Sequence, residues 1–185
     1  MKKIPTLFGR DPQDMKLVTR EVHPDCAWVL DGEGTATRKY DGTCVLLDTD
    51  GTWWARREVK PGKTAPPDYR PEETDPNTGK TVGWEPVGQS AFAKFHAEAL
   101  TGGEDFEPGT YELLGPKINR NPEGFDAHAL VRHGWAAPEV DEDFAAAPRD
   151  RDGLRDWLRA RPFEGIVWHH PDGRMAKLKR RDFPG

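Results

Sequence analysis

Ala36-Thr-Arg-Lys-Tyr-Asp-Gly-Thr-Cys-Val45 sets a lysine, a carboxylate and a turn glycine between two runs of strand-forming residues. Asp-Gly is a common two-residue hairpin connection, so the stretch predicts strands over 35–39 and 43–48 joined at Asp41-Gly42. Asp48-Thr-Asp-Gly51 reads as the next turn and residues 52–57 as a third strand, which gives a three-stranded meander. The lysine at the mouth of the first turn has chemical weight. An amine attacks only after losing its proton, and from a reference near ~10.4 that takes neighbouring cations or desolvation.

Outward from this stretch, Pro61, Pro66, Pro67, Pro71, Pro76 and Pro86 fall among Gly and Asp, and residues from about 60 to 89 read as a long inserted loop. Ser90 is the expected cap of a helix running to about Leu100, with Phe92, Phe95 and Ala99 on one face and Gly102-Gly103 as its stop. Strands are expected over 110–114 and near 127–131. A helix is expected over about 150–160, where Leu154, Trp157 and Leu158 recur at helical spacing, and Pro162 ends it. Residues 164–169 and 174–181 form a hairpin around Pro171-Asp-Gly173. The fold class is therefore α+β, dominated by antiparallel strands.

The chain has 185 residues, enough for one domain with a real core, and no second full domain is expected. Charged residues make up 32%, but seven Trp and eight Phe supply the apolar bulk of a folded, polar-surfaced protein rather than a disordered one. No stretch approaches the ~20 apolar residues of a membrane-crossing helix, and Met1-Lys-Lys-Ile-Pro has no apolar run behind its charge. A cytoplasmic monomer with no membrane partner is expected. Cys26 and Cys44 lie in no metal-ligand spacing and read as ordinary thiols. The net charge of −5 conceals a C-terminal basic run of Arg174, Lys177, Lys179, Arg180 and Arg181.

Strand alternation puts Lys177 and Lys179 on one face of the last strand, places Glu164 with Ile166 in its partner, and makes His169 and His170 diverge, a poor chelate. His96 reads as a structural histidine beside its helix's apolar face. Trp53, Trp54, Trp84 and Trp168 read as structural, covering the core or lining the insert.

Taken in order, these elements resemble the covalent nucleotidyltransferase superfamily of polynucleotide ligases and RNA-capping enzymes. Lys39-Tyr-Asp-Gly42 is similar to its first motif, with Arg56 or Arg57 in Trp54-Ala-Arg-Arg-Glu58 where the next motif's arginine is expected. Tyr111-Glu-Leu-Leu-Gly115 resembles the third motif, Glu164-Gly-Ile-Val167 the fourth and Lys177-Leu-Lys179 the fifth. The insert ending Asp75-Pro-Asn-Thr-Gly79 and Gly83-Trp-Glu-Pro-Val87, with Gly115-Pro-Lys-Ile-Asn-Arg-Asn-Pro122, is similar to the ATP-dependent 5′-to-3′ RNA ligase family whose vertebrate members repair RNA breaks.

That resemblance implies an antiparallel-sheet nucleotidyltransferase (ligase adenylylation) domain over 1–185, with ATP and Mg²⁺, or Mn²⁺ in its place, as cofactors. Lys39 would form lysyl-AMP, with Lys177 and Lys179 favouring its neutral form and neutralising phosphate charge. Glu164 would hold metal. Glu112 would take the ribose hydroxyls, with metal as its second role, and Asp41 would orient the nucleotide-binding loop. Alternation lets only one of Arg56 and Arg57 reach phosphate, and Arg56 is favoured. The implied partner is RNA with 5′-phosphate and 3′-hydroxyl ends, together with proteins that prepare those ends. Alternatives are a catalytically inactive nucleic-acid-binding module and nucleotidyl transfer to another acceptor. Only six residues follow the fifth motif, so the OB-fold domain of DNA ligases and capping enzymes is not expected. RNA handling would then come from the nucleotidyltransferase face itself, joined by the N-terminal basic residues Lys2, Lys3, Arg10 and Lys16, or from a partner protein. For the adenine platform His128, Leu130, Val131 and Trp135 stay open.

Overall fold

The computed structural model describes residues 2–134 and 138–184. In chain order the strands are β1 (Phe8–Arg10), β2 (Val18–Val22), β3 (Thr35–Lys39), β4 (Thr43–Leu47), β5 (Trp53–Val59), β6 (Arg70–Thr74), β7 (Thr81–Pro86), β8 (Gly109–Leu114), β9 (Ala129–Arg132), β10 (Gly165–His169) and β11 (Met175–Lys179). The helices are α1 (Ala27–Leu30), α2 (Ala93–Ala99), α3 (Pro138–Ala145) and α4 (Arg151–Arg159). The α+β class holds, with every paired strand in the three sheets antiparallel to its neighbour. No described helix is long and apolar enough to cross a membrane.

Two compact units make up the chain. One is Ile4–Tyr40 with the residues from Gly134 onward; the other is Asp41–His133 with the first residues of the chain. In the first, β10 is the middle strand of a three-stranded sheet, order β11-β10-β3, and β1 and β2 form a separate hairpin. One face of the sheet carries Ala36, Ile166, Trp168, Ala176 and Leu178, which pack with Leu7, Phe8, Trp28, Phe144, Leu154 and Leu158 into a single core. Asp150 starts α4 by accepting from the Gly153 amide at 2.8 Å, the expected cap of an exposed helix N-terminus.

The second unit is a six-stranded sheet, order β6-β7-β5-β4-β8-β9. Val45, Leu47, Tyr111 and Leu113 line one face and pack against Trp53, Phe92, Phe95 and Ala99, so α2 covers that side. Gly103, at φ 71, takes the left-handed conformation that ends the α2 region, as a glycine at that place allows. Ser90 lies ahead of the helix: its hydroxyl donates to Val87 O at 2.8 Å and accepts from the Phe92 amide at 3.2 Å.

Two sequence expectations are corrected. Asp41-Gly42 is not a hairpin turn, for β3 pairs with β10 while β4 pairs with β5 and β8. Of the meander only the β4–β5 hairpin remains. Asp41-Gly42 is instead the passage from one unit to the next, and glycine is needed there for space: a Cβ on Gly42 would lie 2.4 Å from Leu113 O and 2.8 Å from Glu112 Cγ. The proline-rich stretch also contributes two strands, β6 and β7. Pro71 falls on the edge strand at a register shift and Pro86 ends β7, positions where a missing N–H removes little.

Candidate functional site

Register builds the lysine cluster. Gly165 of β10 is paired on one side with Lys39 of β3 and on the other with Lys179 of β11, so both lysines stand on the same face with no side chain between them. Glu164, one residue ahead of the ladder, supplies the carboxylate they share. Lys39 Nζ donates to Glu164 Oε2 at 2.5 Å and Lys179 Nζ donates to Oε1 at 2.5 Å. The three side chains are only 20%, 15% and 10% exposed for Lys39, Lys179 and Glu164. Burial pushes the Glu164 carboxyl up, but the Lys39 charge and the hydrogen bonds from both lysines overcome that and hold it below its ordinary value.

Glu164 therefore does not keep company with Ile166, whose side chain is in the core on the opposite face. The pleat governs residues inside the ladder, and Glu164 is outside it. Lys177 pairs with Val167, one rung along and on the lysine face, roughly 7 Å from Lys179 along the strand. The outer side of β11 is tied by backbone bonds, with Leu7 N donating to Lys177 O at 2.8 Å and Lys177 N to Pro5 O at 3.0 Å.

Two further contacts fix the strand ends. The Lys179 amide donates to Asp182 Oδ2 at 2.8 Å, and buried Asp182 is paired through Oδ1 with Arg10 Nη1 at 2.8 Å. Arg10 is thus committed to an internal ion pair, which removes it from the cations expected to handle RNA. Arg38, on the far face of β3 from Lys39, lays its guanidinium over Tyr40 at 4.5 Å and Phe163 at 4.3 Å, holding the residue that follows the lysine. His169 and His170 diverge as expected: His169 Nε2 is 3.0 Å from Thr37 Oγ1, and His170 Nε2 is 2.7 Å from Glu33 Oε2.

In the six-stranded unit the face away from α2 carries the other motif residues. Cys44 pairs with Glu112 and Glu112 with Val131. Continuing the β4–β5 register past Val45–Ala55 sets Arg56 beside Cys44, so Arg56 and Glu112 share a face. Arg57 belongs to the α2 face, 4.0 Å from buried Glu85. Arg56 Nε is buried without a hydrogen-bond partner among the described residues, an orphaned donor on the face of Glu112.

Glu112 is held from two directions. The Gly42 amide donates to Oε1 at 3.0 Å and His133 Nε2 donates to Oε2 at 2.8 Å. An ionised carboxylate only accepts, so His133 Nε2 carries the hydrogen, and its Nδ1 lies 2.9 Å from Thr110 Oγ1. Sequence reading missed His133, which lies just past β9 where no periodicity marks it. Asp41 is engaged in the same way: its amide donates to Glu123 Oε1 at 2.8 Å and its Oδ1 accepts from Asn119 Nδ2 at 3.1 Å.

Among the adenine candidates Val131 shares the Glu112 face, Leu130 packs on the α2 side, and His128 stacks on Phe95 with ring centroids 4.8 Å apart. Trp135 lies outside the described residues. No group of three or more His, Cys, Asp or Glu converges to hold a metal ion among the described residues. No family model and no curated protein matches the chain.

Proposed function

We propose that the chain is an ATP-dependent RNA ligase with a nucleotidyltransferase fold, and that Lys39 is its covalent nucleophile. The observation that carries this reading is the pair of lysines flanking Gly165 and sharing one carboxylate, Lys39–Glu164–Lys179. Three such groups carry one net positive charge in a largely water-excluded position, suited to an anionic phosphate.

Lys39 must surrender a proton to solvent before attack, and Lys179, held on the other oxygen of the carboxylate that Lys39 shares, is the neighbouring cation that favours the loss. The freed Nζ lone pair then forms a P–N bond to the α-phosphorus of ATP as the α–β bridging bond breaks and pyrophosphate leaves. Lys179 and Lys177 neutralise charge on the phosphoryl oxygens. An oxygen of the RNA 5′-phosphate next attacks the adenylyl phosphorus as the P–N bond breaks, and the lysine nitrogen takes up a proton from solvent and leaves as the Lys39 amine. Finally the 3′-hydroxyl oxygen attacks the activated 5′-phosphorus, loses its proton, and expels AMP.

Glu112, oriented by Gly42 and His133, is assigned to the ribose hydroxyls and Arg56 to phosphate. Glu164, and Glu112 second, would hold Mg²⁺ or Mn²⁺, which supplies further charge neutralisation at the phosphates. Each carboxylate oxygen retains a lone pair beyond the hydrogen bond it accepts, enough for a cation that keeps most of its waters. The test is transfer of label from α-labelled ATP to the folded chain, then from the chain to 5′-phosphorylated RNA. Label on the wild type and none on Lys39→Ala is the expected result. Label that survives Lys39→Ala, or that RNA cannot discharge, would overturn it.

A further inference from the structure

Residues 115–122 make a turn whose backbone is unusual. Asn119, Arg120 and Asn121 stand consecutively in the left-handed region, at φ 46, 67 and 57, where side chains other than asparagine or aspartate are disfavoured. The two asparagines have a structural reason to be there. Asn119 Nδ2 donates to Gly42 O at 2.8 Å as well as to Asp41, and Asn121 bonds both ways with Phe125, its Nδ2 to the carbonyl and its Oδ1 to the amide, each at 2.9 Å. Ile118, 1% exposed, anchors the turn in the core.

Arg120, between the asparagines, has no such reason. It is exposed and makes no hydrogen bond or ion pair with a described residue, although Glu123 and Asp126 follow it closely. Lys117 is exposed and likewise without an ion pair to a described residue, and the amides of Asn119 and Arg120 donate to no acceptor among the described residues. A guanidinium, an ammonium and two amides without an acceptor among the described residues thus fall within four residues of one fastened turn, donors of the kinds that bind phosphate. Their exposure suits the backbone of a strand lying along the surface better than an enclosed nucleotide.

We propose that Arg120, with Lys117 and the Asn119 and Arg120 amides, binds a backbone phosphate of the RNA strand. This rests on the ligase reading and names the contact by which its second substrate is held. The test titrates fluorescent 5′-phosphorylated single-stranded RNA by anisotropy, without ATP, over a range of salt. Arg120→Asn removes the cation while keeping a residue that tolerates the left-handed backbone. It is expected to bind RNA several-fold more weakly, to lower the slope of log affinity against log salt by about 0.7, the share of one single-strand phosphate contact, and to melt at or above the wild-type temperature. Arg120→Lys is expected to recover most of the slope.

Unchanged affinity and slope in Arg120→Asn overturns the proposal, as does a loss of affinity accompanied by a lower melting temperature in both variants. A loss of labelling by ATP with RNA binding intact also overturns it, by assigning the phosphate to the nucleotide. The ligase reading fails separately. A wild type that binds RNA through Arg120 yet takes no label from ATP upholds the contact and sinks that reading.

Discussion

Replacing Glu164 by glutamine removes one charge and leaves two ammonium groups facing each other across Gly165. Breaking a buried ion pair by deleting one partner costs about 3–5 kcal/mol. Lys39 and Lys179 retain 20% and 15% exposure, so water recovers part of this and the expected loss is about 2–3 kcal/mol. At roughly 2–4 °C per kcal/mol for a chain of this length, the melting temperature should fall by about 4–12 °C. Thermal melts followed by circular dichroism at pH 7 measure it. The pH dependence has a definite sign. Glu164 has a lowered pKa in the folded state, so the native protein binds fewer protons there than the unfolded chain. Its stabilisation is complete above the unfolded carboxyl value near ~4.3 and fades as pH falls through the lowered folded value. The gap between wild type and Glu164→Gln should therefore close in acid. A double-mutant cycle with Lys179→Met should show coupling of about 0.5–3 kcal/mol. A variant melting within 1 °C of wild type (roughly 0.3–0.5 kcal/mol), or strict additivity in the cycle, would refute the shared-carboxylate geometry.

Gly42→Ala presses a methyl against Leu113 O and should cost about 3 kcal/mol in chemical denaturation, because a backbone carbonyl cannot yield as a side chain can; a loss under 1 kcal/mol contradicts the close approach. Asp182→Ala strands Arg10 and the Lys179 amide at a cost of about 3 kcal/mol. Faster hydrogen exchange at the Lys179 amide reports it, and unchanged exchange counts against it. His96 is 3% exposed with Nε2 unpartnered among the described residues, and burial lowers its pKa. The unfolded chain then takes up the proton first, and stability should decline as pH falls below ~6.5. His96→Leu should flatten that decline; parallel slopes in the two proteins would exclude it.

What was legible in the sequence was local. β3, β8, α4 and the β10–β11 hairpin follow from alternation and helical spacing, and the pairing of Lys177 with Lys179 on one face came from the same rule. The partner of β3 was not legible, because Asp-Gly signals a turn whether or not the flanking strands pair, and β3 finds β10 more than a hundred residues away. Proline count concealed β6 and β7, since the cost of a proline depends on whether its strand is an edge. Glu164 escaped the alternation rule by one residue. His133 and the left-handed run at Asn119–Asn121 carry no periodic signal, and only the fold brings His133 to Glu112 or Asn119 to Asp41.

The central claim is that Lys39 takes the adenylyl group. Tandem mass spectrometry of the folded chain after incubation with ATP and Mg²⁺, under conditions that preserve the P–N bond, tests it most directly. The account predicts AMP on Lys39 and its removal on addition of 5′-phosphorylated RNA. AMP on Lys177, Lys179 or another side chain, or no adduct on protein shown to be folded, would contradict it.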